Sequence, residues 1–149
     1  MKPTTTWILI ADGAHARIAR NTGPGRGVEF LTGMEFHSPN LPGRGIMADR
    51  PGRTFDRAGL GPHAMEAPTD PRQHAKRRFA AMLASVLEDE LKHDAYDRLI
   101  VVAPPKALGD LRAELPEFVR ATVTGELNKD LTRVPEKDLP AHLAPVLAV

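Results

Sequence analysis

The chain has no cysteine at all. That excludes disulfides, a thiol nucleophile and any cysteine-ligated zinc. Aromatic residues are scarce, with one Trp, one Tyr and five Phe. The base-stacking platforms of a typical single-strand binder are therefore missing, and a core must be built from Val, Ile, Leu and Ala. No apolar run approaches the roughly 18 residues that cross a bilayer. The apolar segment near the start, Trp7 to Ala11, is too short for a secretory signal and lacks its small-residue cleavage site, so the expected address is the cytoplasm and no membrane partner is expected. Net charge is only +1, and no global field draws the protein to a polyanion. The charge is uneven, however: residues 1–62 hold eight Lys/Arg against five Asp/Glu, so any footprint on an anionic partner belongs to the first half.

What remains is an ordinary globular composition, 42% hydrophobic and 26% charged over 149 residues. A chain of this length fits one domain, expected over 1–149, and buries enough surface to need no metal or disulfide staple.

Two unbroken apolar runs, Trp7–Ala11 and Leu99–Ala103, read as strands covered on both faces. Asp12-Gly13 comes directly after the first. This is a strong hairpin signal, because the usual turn needs the positive φ these residues tolerate. The returning strand is expected over Ala14–Arg20. A third runs from Val28 to Phe36, where strict alternation would put Val28, Phe30, Met34 and Phe36 on one face and Glu29 and Glu35 on the other. Residues 37–69 show no period and are crowded with Gly, Pro and Arg; a connection this long is usually functional or disordered.

A helix then starts sharply. Asp70 suits the N-cap, Pro71 the first helical position, and Gln73 the third residue of a capping box. Ala75, Phe79, Met82, Leu83, Val86, Leu87 and Leu91 form its apolar stripe, and it should end near His93. Pro104-Pro105 can open a second helix carrying Leu108, Leu111 and Leu115. After Pro116 a short turn leads to a half-exposed strand over Ala121–Leu127, with Val123 and Leu127 alternating against Thr122, Thr124 and Glu126. The tail from Pro135 is helix-like but interrupted by Pro140 and Pro145, so only short pieces are expected.

The order β-β-β-α-β-α-β-α makes the first, fourth and fifth strands parallel, with the two all-apolar strands central. The arrangement that satisfies this is an α/β fold with a mixed five-stranded sheet in the order 3-2-1-4-5, a ribonuclease-H-like order, with helices packed on it.

Several segments resemble the bacterial host-attachment protein family. They are Ile10-Ala11-Asp12-Gly13-Ala14-His15-Ala16-Arg17, Asp49-Arg50-Pro51-Gly52-Arg53-Thr54-Phe55-Asp56, Thr69-Asp70-Pro71, Val102-Ala103-Pro104-Pro105 and Glu126-Leu127-Asn128-Lys129-Asp130-Leu131. Together they span most of the chain. That family is similar in turn to the middle domain of archaeal and eukaryotic peptide-release factors. The resemblance implies the same topology, a role at the ribosome or on RNA, and, by the family's description, a role in attachment to host cells. The Gly-Gly-Gln tripeptide that triggers peptide release is absent, so release activity is not implied.

In parallel sheets ligands favour the carboxyl ends of the strands. That edge should gather Asp12, Lys106, Lys129 and Asp130. Two-metal phosphodiester cleavage would need several carboxylates converging there, with Asp12 and Asp130 as candidates and Glu126 beside them. Both aspartates also sit where turns recruit Asp, which is the simpler account. Arg44, Arg50, Arg53 and Arg57, spaced among glycines, suit bidentate phosphate contacts; a loop whose arginines pair with Asp49 and Asp56 is the competing account. With Lys106 and Lys129 they are the expected anion-binding set, for RNA, the ribosome or another anionic partner. His63, Glu66, Asp70 and His74 lack metal-ligand spacing, apart from Asp70 with His74, and Asp70 has its capping role; no metal or cofactor is expected. Lys76-Arg77-Arg78 reads as a solvated helix face. No Gly-rich nucleotide loop and no serine elbow is present. The long loop and an exposed outer strand also offer surface for self-association.

Overall fold

The computed structural model describes residues 3–39 and 70–148. Arg44, Arg50, Arg53, Arg57, His63 and Glu66 lie outside the described residues. The first strand β1 (Thr6–Ala11) is buried along its whole length. It pairs antiparallel with β2 (His15–Asn21), which pairs antiparallel with β3 (Glu29–His37). On its other side β1 runs parallel to β4 (Arg98–Val102), with Leu9 opposite Val101, and β4 runs parallel to β5 (Val123–Leu127). Among the described residues the sheet order is β3-β2-β1-β4-β5. The fold is α/β, with the expected 3-2-1-4-5 arrangement and the two all-apolar strands adjacent at its centre.

One face of the sheet carries the first three helices. α1 (Pro71–Lys92) starts where Asp70 accepts the Arg72 amide at 3.0 Å, and it closes at His93. Gln73 does not complete a capping box; its amide donates to Asp110 at 3.4 Å on α2 (Pro105–Glu114). α1 buries Ala75, Phe79, Ala80, Leu83, Ala84 and Leu87. Met82, expected in that stripe, is exposed, and the small Ala80 and Ala84 lie inside instead. Alanine lets α1 sit close to its neighbours, whereas Met82 falls at the margin of the buried arc. The turn expected after Pro116 is a single helical turn, α3 (Glu117–Arg120). These elements cover Trp7, Leu9, Ala11, Ile18, Leu99 and Val101.

The opposite face is covered by the tail. A 3-10 turn (Glu136–Asp138) leads into α4 (Leu139–Leu143), and Leu131, Leu139 and Leu143 pack on Ile8, Ile10, Ile100 and Val102. The Phe30 amide of β3 donates to Glu136 Oε1 at 2.9 Å, fastening the tail across the sheet.

Two register irregularities overturn the simple alternation. From Arg17 to Ala19 the partner on β3 moves from Glu35 to Phe30, so a step of two residues on one strand faces a step of five on the other. Gly33, at φ 83°, lies inside this bulge. An odd excess flips the side-chain faces: Val28 and Phe30 pack on the tail side, Met34 and Phe36 on the helix side. In the same way Leu99 faces Val123 while Ile100 faces Gly125, and the extra residue, Thr124, puts Val123 and Leu127 on opposite faces.

Among the described residues no helix is long and apolar enough to cross a membrane.

Candidate anion-binding cleft

β1 and β4 end side by side, because they are parallel and in register from Thr6 opposite Arg98 to Ile10 opposite Val102. The segments leaving the two strands therefore meet at one sheet edge. After β1 come Asp12, Gly13 and Ala14; after β4 come Ala103, Pro104 and the start of α2. Between them opens a cleft of about 390 Å³ lined by Asp12, Gly13, Ala14, His15, Lys76, Pro104, Lys106 and Ala107.

The β1–β2 turn is built by Asp12. Its Oδ1 accepts the amides of Ala14 at 2.8 Å and His15 at 2.7 Å, and its own amide donates to the His15 carbonyl at 2.9 Å. His15 Nδ1 lies 3.5 Å from the same oxygen. The turn does not use positive φ at Asp12 or Gly13, contrary to the usual Asp-Gly hairpin; the Asp12 side chain closes a wider loop and makes the left-handed backbone unnecessary.

Asp130 serves a second turn of the same kind. Its Oδ1 accepts the Thr132 amide at 3.0 Å and the Thr132 hydroxyl at 2.5 Å. The Thr132 hydroxyl bond is the main reason its carboxyl is held below the usual aspartate range; partial desolvation opposes this, and the nearby charges of Arg133 and His15 assist it. Asp130 lies outside the cleft lining. Glu126, the third carboxylate, is held away by an ion pair with Arg112 on α2. Among the described residues no group of three His, Asp or Glu side chains is placed to hold a metal ion.

The cations are arranged differently. Lys76 comes from the second turn of α1 and Lys106 from the first turn of α2, and both residues line the cleft. Among the described residues neither has a carboxylate within ion-pair distance. The N-terminus of α2 opens here too. Its first intrahelical bond runs from the Leu108 amide to the Pro104 carbonyl at 2.9 Å, and no side chain caps the end. The amides of Lys106 and Ala107, together with the positive end of the helix dipole, add to the two ammonium groups.

A family model described as "protein required for attachment to host cells" matches residues 7–143. The chain belongs to this family. The match runs from the first core strand to the last residue of α4, so the cleft lies wholly within the host-attachment domain. No curated protein is similar enough to match.

Of the expected anion-binding residues, the structure brings Lys106 to the cleft. Lys129 is exposed beyond the end of β5 and does not line it. Lys76, read from sequence as part of a solvated face, is the residue that sequence reasoning misses. Its place on α1 carries no mark of a ligand; only the packing of α1 beside the β1–β2 turn brings it to the sheet edge.

Proposed function

We propose that this host-attachment family protein is a non-catalytic binding module for RNA, gripping the phosphate backbone at the cleft between β1 and β4. The observation that carries this reading is the convergence of Lys76, Lys106 and the uncapped start of α2 on one open cleft. Positive charge with no carboxylate partner among the described residues favours an anion, and helix-start amides without a side-chain cap favour one with oxygen acceptors, as phosphodiesters have. Asp12 lies in the same cleft, so the site is not a uniform cationic patch; its Oδ1 is committed to the turn. Arg44, Arg50, Arg53 and Arg57 extend this proposal along the chain as further phosphate contacts. The release-factor resemblance supports a ribosomal RNA target in the cytoplasm, and a contribution to host attachment would then be indirect. Hydrolysis by two metals is less well supported, because Asp12 and Asp130 each commit an oxygen to a turn and Glu126 is paired with Arg112.

The test is the salt dependence of binding to a labelled single-stranded RNA and of co-sedimentation with ribosomes. Each phosphate contact on a single strand contributes about 0.7 to the slope of log affinity against log salt. Lys76→Ala with Lys106→Ala should lower the slope by about 1.4, and Arg50→Ala with Arg53→Ala should weaken binding further. Absence of binding at low salt, or a slope unchanged by both pairs of substitutions, removes the proposal.

A further inference from the structure

Gly13 faces Lys76 across the edge of the cleft. A Cβ built on Gly13 would fall 2.9 Å from Lys76 Cγ and Cδ and 3.0 Å from Cε. The aliphatic stem of Lys76 therefore occupies the space that any side chain at position 13 would take. Backbone freedom is not the reason for glycine here, since Gly13 lies outside the positive-φ region that other residues avoid. What glycine supplies is a surface low enough for the lysine stem to cross. Gly13 and Lys76 also line a small cavity between α1 and α2, together with Phe79, Ala80, Leu83, Ala107 and Leu111. The stem thus lies against the turn on one side and is open to solvent on the other, and Lys76 lines the cleft.

We infer that Gly13 is a positioning residue for the anion site: its missing side chain sets the path of Lys76 and hence the place of the Lys76 ammonium. The inference rests on the RNA-binding reading for its consequence, but not for its geometry. A methyl group at position 13 forces the lysine stem aside. Because the obstructing atoms belong to a flexible side chain and not to backbone, the stem moves and the fold stays.

Two measurements test this on the full chain. In reductively 13C-methylated protein, the Lys76 dimethylamine resonance is identified by its loss in Lys76→Ala. It should shift in Gly13→Ala, while the Lys92 resonance stays in place. An unmoved Lys76 resonance in a folded Gly13→Ala protein overturns the inference, whatever the RNA result. In the second, affinity for a labelled oligouridine is measured across a salt series for Gly13→Ala, Lys76→Ala and the double variant. Gly13→Ala should weaken binding and lower the salt slope as Lys76→Ala does, and the double variant should bind no more weakly than Lys76→Ala alone, because the two act through one ammonium. Normal binding by Gly13→Ala beside weakened binding by Lys76→Ala overturns the inference and leaves the RNA reading standing. A shifted resonance in a protein that binds no RNA sinks the RNA reading and upholds the positioning of Lys76.

Discussion

Trp7 and Tyr96 stack with ring centroids 4.9 Å apart and planes inclined by 28°. Trp7 is the second residue of β1, and Tyr96 precedes β4, so their contact pins the starts of the two central parallel strands beneath α1. The Tyr96 hydroxyl completes the clamp by donating to the Leu87 carbonyl at 2.7 Å. Backbone bonds reinforce it: the Asp97 and Arg98 amides both donate to the Thr5 carbonyl, and the Thr5 amide donates to Asp97 Oδ2 at 2.8 Å. The chain's single tryptophan and single tyrosine are therefore spent on aligning the strands whose far ends form the cleft.

Burial raises the Tyr96 phenol well above the ordinary tyrosine range, and the nearby Glu90 charge adds to the rise. The native state favours the neutral phenol. Its contribution is fully present below the unfolded value of about 10 and is lost as pH climbs above it. Tyr96→Phe should cost about 1 kcal/mol at neutral pH through the lost hydrogen bond, and should flatten the alkaline decline in stability. Urea unfolding followed by Trp7 fluorescence, at neutral pH and above pH 10, checks both; an alkaline decline as steep in Tyr96→Phe as in wild type contradicts the assignment.

The Asp130–Thr132 turn has the opposite sign. A carboxyl held below its ordinary value stabilises the fold above the unfolded pKa of about 3.9, and that contribution disappears as pH falls through the lowered value. Thr132→Val should therefore cost about 1 kcal/mol near neutrality, and the gap from wild type should close in acid. An NMR titration of Asp130 should show its midpoint rising in Thr132→Val. A stability difference that persists undiminished at pH 2 would place the cost in packing instead.

On β5, a Cβ at Gly125 would lie 3.0 Å from Val146 Cβ and 3.2 Å from its Cγ1. The tail lies tight against the strand at this point. Gly125→Ala should destabilise by about 1 kcal/mol or somewhat more, as overpacking does. Val146→Ala in the same protein should recover part of the loss, and a double-mutant cycle by urea unfolding measures the coupling. Additive losses would show that the two positions do not compete for space.

Much of the architecture was legible in the chain because it rests on local rules. Unbroken apolar runs at Trp7–Ala11 and Leu99–Ala103 can be buried on both faces only in mid-sheet. Asp70-Pro71 marks a helix start whatever surrounds it, and the tail is held to short pieces, although Pro140 falls in the first turn of α4, where a proline is tolerated, and only Pro145 lies beyond its end. The faces of β3 and β5 were not legible, since the bulges around Gly33 and Thr124 add unpaired residues that a strict period of two does not anticipate. Asp12 and Lys106 could be placed at the sheet edge, because both lie just beyond the central parallel strands.

The amino-acid pattern alone determined the strand order and the edge at which the central loops emerge, since burial and chain connectivity leave few alternatives for two greasy strands. Tertiary structure decided which side chains meet at that edge. It carried Lys76 in from α1, turned Glu126 away to Arg112, and made the absence of a side chain at Gly13 matter. Those outcomes depend on how one packed element lies against another, and no spacing along the chain encodes a distance across it.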